Sequence, residues 1–125
     1  MATTKKVLVA EDSSVIQNLT KRILQAQSYH IFAARNGRQV LDKLQQESFD
    51  IILLDINMPV MDGMECARQI RALGDSEKSA TPIIAITGNA PNYSMEDFKL
   101  AGINEFLPKP LDFDRLVELV KEYTS

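Results

Sequence analysis

Five polar side chains stand where apolar runs stop. Asp55 closes Phe49-Asp50-Ile51-Ile52-Leu53-Leu54-Asp55, and Glu11 and Asp12 follow Lys6-Val7-Leu8-Val9-Ala10. Thr87 ends Pro82-Ile83-Ile84-Ala85-Ile86-Thr87, and Lys109 follows Phe106-Leu107-Pro108. A charge is costly in a buried strand interior, but the carboxyl edge of an open parallel sheet is where sites form. Three carboxylates gathered in one crevice repel by about 4 kcal/mol per close pair near a protein surface. A divalent cation removes that repulsion. Oxygen donors with room for water suit Mg²⁺, whereas one histidine (His30) and one distant cysteine (Cys66) give zinc no ligand set. The backbone carbonyl of Asn57, in the loop after Asp55, is a candidate further oxygen. The Thr87 hydroxyl can donate to an oxyanion, and Pro108 and Pro110 restrict the backbone of Lys109 and aim its ammonium across the site. Each residue also has a plainer role: Asp12 or Ser13 can cap a helix, and Thr87 can be an ordinary strand residue.

These residues need elements to hold them. Short apolar runs alternate with helix-period segments, which predicts βα units and a parallel sheet. Strands are expected at 6–11, 30–34, 50–55, 82–87 and 104–108, the second at an edge because it is less apolar. Helices are expected at 14–26, 37–46, 63–73, 95–101 and 113–123, with Val15, Ile16, Leu19, Ile23 and Leu24 repeating at helical spacing in the first. Gly74 reads as the stop of the third helix, and 74–81 as a polar surface loop. Pro91 and a late cap at Ser94 predict a short or shifted fourth helix. The expected class is α/β: a flavodoxin-like, doubly wound three-layer sandwich around a five-stranded sheet. In the order 2-1-3-4-5, strands one and three are neighbours, which brings Glu11, Asp12 and Asp55 together.

The chain has 125 residues, enough for one domain over 1–125 with a full core. Hydrophobic content of 45% and charged content of 25% are those of a soluble globular protein. A net charge of −3 argues against a general nucleic-acid surface. No apolar stretch reaches the ~20 residues of a membrane span, and the first residues carry no leader-like apolar segment. A cytoplasmic location is expected.

Taken together, Glu11-Asp12, Asp55 within Leu53-Leu54-Asp55-Ile56-Asn57-Met58-Pro59-Val60-Met61-Asp62-Gly63, Thr87 and Lys109-Pro110 resemble the receiver domain of two-component response regulators. The resemblance covers the whole chain, and 2-1-3-4-5 is the order this family shares with flavodoxin. It implies that Asp55 accepts a phosphoryl group from the phosphohistidine of a histidine kinase or histidine phosphotransfer protein. It further implies that Glu11, Asp12, Asp55 and the Asn57 main chain hold Mg²⁺, that Lys109 pairs with the phosphoryl oxygens, and that Thr87 is the switch hydroxyl. Phe106 stands at the aromatic switch position, where the family often has Tyr; Phe can rotate but donates no hydrogen bond. The face made by the fourth helix, fifth strand and fifth helix would meet a downstream effector, with the chain a monomer or weak dimer, free-standing or part of a hybrid kinase. Turnover of an external substrate is not expected. The alternative is a small Mg²⁺-dependent phosphohydrolase with an aspartyl-phosphate intermediate. Such enzymes carry Asp-x-Asp after the first strand, whereas here Asp55-Ile56-Asn57 follows the third. A flavin mononucleotide binder would need a hydroxyl- and glycine-rich phosphate loop where Glu11-Asp12 stands.

Overall fold

The apolar runs that end at Ala10, Ala34, Asp55, Thr87 and Pro108 pair into one parallel sheet in the computed structural model, which describes residues 4–88 and 94–125. In chain order the elements are β1 (Lys6–Ala10), α1 (Ser14–Ala26), β2 (His30–Ala34), α2 (Gly37–Gln46), β3 (Ile51–Asp55) and α3 (Gly63–Arg71). They continue with α4 (Ser76–Ser79), β4 (Ile83–Thr87), α5 (Met95–Leu100), β5 (Glu105–Pro108) and α6 (Phe113–Thr124). The sheet order is β2-β1-β3-β4-β5 with every pairing parallel, as expected.

Alternation along the strands divides the core. Leu8, Ile52, Leu54 and Ile83 pack with Val40 and Leu44 of α2, Met64 and Ile70 of α3, and Phe98 of α5. Val7, Val9, Leu53 and Ile84 point the other way, onto Leu24 of α1 and Leu116, Leu119 and Val120 of α6. The sheet is therefore the middle of three layers. β3 and β4 are buried at every position, as central strands covered on both faces must be. Each such Leu or Ile contributes about 1.5–3 kcal/mol by leaving water. β2 takes the edge, with His30 and Ala33 exposed. No helix among the described residues is long and apolar enough to cross a membrane.

The structure sharpens or corrects several local expectations. Of the two candidate caps of the first helix, Ser13 is the one used, its Oγ accepting from the Ile16 amide. Of the residues at helical spacing in α1, Val15 and Leu19 are 75% and 44% exposed, while Leu24 is buried. α3 ends at Arg71 with Ala72 as its cap, before Gly74. Within the segment expected to be loop, Asp75 Oδ1 accepts from the amides of Glu77 and Lys78 and starts the one-turn helix α4. The expected fourth helix is thus α5, short as anticipated, with a capping box between Ser94 and Asp97. Residues 89–93, on which part of that expectation rested, lie outside the described residues.

Arg71 ties this end of the molecule together. Its guanidinium donates to the carbonyls of Gly102 (2.9 Å), Ser79 (2.7 Å) and Thr81 (2.7 Å) and to Asn104 Oδ1 (3.0 Å). Gly102, just past α5, has φ +87, and a Cβ there would lie 2.4 Å from Arg71 Cγ.

Candidate functional site

β1 and β3 are direct neighbours, so the chain segments leaving their carboxyl ends rise side by side. One carboxylate oxygen from each of Glu11, Asp12 and Asp55 lies within 4.8 Å of the others. Asp55 and Glu11 are 1% and 2% exposed, whereas Asp12 faces solvent. Lys109 reaches in from the end of β5, its Nζ 3.2 Å from Asp55 Oδ2 and 3.7 Å from Glu11 Oε2. The Lys109–Pro110 bond is cis, as the sequence admits. The Lys109 amide donates to the Thr87 carbonyl at 2.8 Å, so the ends of β4 and β5 share the same edge. Thr87 is buried there, one residue beyond Ile86, which pairs with Asp55.

Main-chain groups orient the acids. The Asn57 amide donates to Asp55 Oδ1 at 3.0 Å and the Ser13 amide to Glu11 Oε1 at 3.1 Å. Glu11 Oε2 is buried and makes no hydrogen bond. Burial, reinforced by Asp55, pushes the Glu11 carboxyl up to about 7, against the opposing pull of the Ser13 amide and Lys109. A buried oxygen without a donor, two further carboxylates beside it and no nitrogen or sulfur ligand in the set fit a hard divalent cation such as Mg²⁺.

The arrangement also depends on residues to which the motif reading gave no role. A Cβ on Gly63 would sit 2.6 Å from the Asp55 carbonyl and 2.7 Å from Ile56 Cα, so only glycine lets α3 start this close to the end of β3. The signal was a glycine at the first position of a helix, where propensity disfavours it. Gln17 Nε2 donates to the carbonyls of Glu11 (3.2 Å) and Ala34 (2.9 Å), bracing the ends of β1 and β2. No spacing rule marks that contact. Phe106 is half-buried and stacks on Phe98 of α5, with centroids 5.4 Å apart. Cys66 is fully buried, and burial pushes its thiol up to about 12, which suits packing rather than reactivity. His30 is exposed beside Phe32 and stands apart from the acids.

The comparisons with known proteins agree with one another. The response regulator receiver domain family matches residues 7–121. The chain is 35% identical over 121 residues to Hybrid signal transduction histidine kinase I of Dictyostelium discoideum; that match covers 93% of the chain but only 7% of the kinase. It is similar to the solved structure of the chemotaxis response regulator CheY4 of Vibrio cholerae, with TM-score 0.87, 32% identity and coverage of 97% and 99% of the two chains. It is equally similar to the receiver domain of sensor histidine kinase PA1611 from Pseudomonas aeruginosa PAO1 (TM-score 0.87, 30% identity, 98% of each chain). That structure has a magnesium ion coordinated in its active site cleft.

Proposed function

The chain belongs to the response regulator receiver domain family, and on that premise we propose that it is a cytoplasmic signalling module that takes a phosphoryl group onto Asp55 from a phosphohistidine-bearing protein. The observation that carries this reading is the buried Asp55 carboxylate between Lys109 at 3.2 Å and the Glu11–Asp12 pair. Glu11, Asp12, Asp55 and the Asn57 main-chain carbonyl would hold Mg²⁺, which when bound neutralises charge on the transferring phosphoryl oxygens.

The chain's own residues do the rest. The Asn57 amide fixes one Asp55 oxygen, while Lys109 faces the other and offsets the negative charge that an incoming phosphoryl brings. As the donor's P–N bond breaks, a P–O bond to Asp55 forms and the imidazole keeps the nitrogen lone pair. Lys109 can then exchange its contact with Asp55 for the new phosphoryl oxygens, and the Thr87 hydroxyl, on the next strand, donates to them. The added charge of about −1.5 to −2 acts on the edge shared by β4 and β5. Phe106, two register positions before Thr87's partner Pro108, relays the change to α5 through Phe98. The face of α5, β5 and α6 is read by a downstream effector.

Incubation with Mg²⁺ and acetyl phosphate tests the reading. The expected result is a phosphoryl adduct that maps to Asp55 by mass spectrometry, disappears in Asp55→Asn, and is accompanied by little hydrolysis of p-nitrophenyl phosphate. Sustained many-turnover hydrolysis would point instead to the phosphohydrolase.

A further inference from the structure

Val60, five residues past Asp55, has φ +71, and the Met61 amide donates to the Pro59 carbonyl at 2.7 Å. A three-residue turn closed around a positive φ is rare and strained, and a β-branched side chain in it is a clear outlier. Glycine or asparagine adopts this conformation with less strain. The fold does not reward valine here, because its side chain is 82% exposed. The turn itself is anchored independently on both sides. Met58 is buried, Met61 packs on the core, the Gly37 amide donates to the Met61 carbonyl, and the Gly63 amide donates to Ile56. The anchors account for the bend but not for the branched apolar side chain at its tip.

The position of the tip supplies an account. Asp55 is 1% exposed, at the bottom of its crevice. A small phosphodonor enters such a crevice unaided, whereas an imidazole carried on a protein must bring its surrounding surface onto the rim. β1 and β3 are parallel neighbours, so the segments that follow them leave the same edge of the sheet: α1, with Val15 and Leu19 75% and 44% exposed, and the turn bearing Val60. Among the described residues only five large hydrophobic side chains are exposed; the other two, Met95 and Leu100, are on α5.

We propose that Val60 is a specificity contact for the protein that donates the phosphoryl group, displayed by the strained turn so that its methyls meet an apolar surface around the donor histidine. This rests on the phosphoacceptor reading above. Val60 touches no reacting atom, and its role lies in how tightly the donor protein binds.

The test compares Val60→Asn, Val60→Thr and Val60→Ile with the parent chain, using acetyl phosphate and an autophosphorylated histidine kinase chosen from a panel because it labels the parent fastest. With acetyl phosphate all three variants should react within about twofold of the parent. With the kinase, Val60→Asn and the isosteric Val60→Thr should lose on the order of five- to tenfold in transfer efficiency through KM, while Val60→Ile retains it. Val60→Asn should also melt a few degrees higher because the strain is relieved. Equal kinase rates for all four chains overturn the proposal, as does an equal loss with both donors, which would make Val60 part of the loop's chemistry. A change in sedimentation without a change in kinase transfer makes Val60 a self-association contact and also overturns it. If neither donor labels the parent chain, the phosphoacceptor reading itself fails, a result distinct from all of these.

Discussion

Glu11 answers to two opposing demands: burial keeps its proton on, while a cation requires the proton off. In the folded chain it is held near 7, against an ordinary value of 4.5. Between those values the folded chain keeps a proton that the unfolded chain has lost, so stability without metal falls as pH rises through that window. Cation binding displaces the proton, so Mg²⁺ affinity should rise with pH across the same window and level off above it. Calorimetric titrations at about pH 6 and 8 check this: expected is weaker binding at the lower pH by up to roughly tenfold, with the slope lost in Glu11→Gln. Lys109 faces the Asp55 and Glu11 oxygens at 3.2 and 3.7 Å and would compete with a bound cation for them. Lys109→Ala should therefore bind Mg²⁺ several-fold more tightly yet accept phosphoryl more slowly. Weaker Mg²⁺ binding in that variant would mean the ammonium organises the acids instead of competing for them.

Elements bring these residues into register, and two junctions carry most of that work. Gly63 lets α3 begin against the carbonyl of Asp55. Gly63→Ala should cost about 1–3 kcal/mol and, because Asp55 must shift, weaken Mg²⁺ binding as well; urea unfolding and calorimetry read the two effects separately. Arg71 joins α3 to the loops around α4 and before β5 through four acceptors. Arg71→Ala leaves the Ser79, Thr81 and Gly102 carbonyls without this donor and should cost about 2–4 kcal/mol while leaving phosphorylation by acetyl phosphate intact. Gly63 stood inside the motif around Asp55 and Arg71 outside it, but neither junction could be read from spacing, because each depends on which segments meet. Burial on α1 was not legible for a related reason. Val15 and Leu19 have helical spacing, but spacing cannot say whether solvent or the core lies beside them.

At the scale of the whole molecule, a ligand that binds only the folded state stabilises it. Mg²⁺ at 100 times its Kd should add about 2.7 kcal/mol, seen as a higher unfolding midpoint that chelation reverses and Asp55→Asn reduces. On the proposed reading, phosphorylation of Asp55 would act outward along the edge shared by β4 and β5, where Thr87 and Lys109 lie and where β5 bears Phe106 against α5. Beryllofluoride should therefore shift amide resonances of α5 and β5 as well as those near Asp55, and Phe106→Ala should confine the shifts to the crevice.

Much of this was legible in one dimension. Continuous apolar runs such as Ile51-Ile52-Leu53-Leu54 read as strands covered on both faces, and Ser94 marked a helix start. Polar residues closing those runs named the acids, Thr87 and Lys109, because hydrophobic burial leaves charge no place but the strand end. What spacing could not decide were quantities set by contact. These were the choice of Ser13 over Asp12 as cap, the extra turn at Ser76–Ser79, the outward Val15 and Leu19, and the strained display of Val60. Each depends on how a side chain's gain is divided among neighbours distant in sequence, and that division exists only once the sheet has closed and its helices have docked.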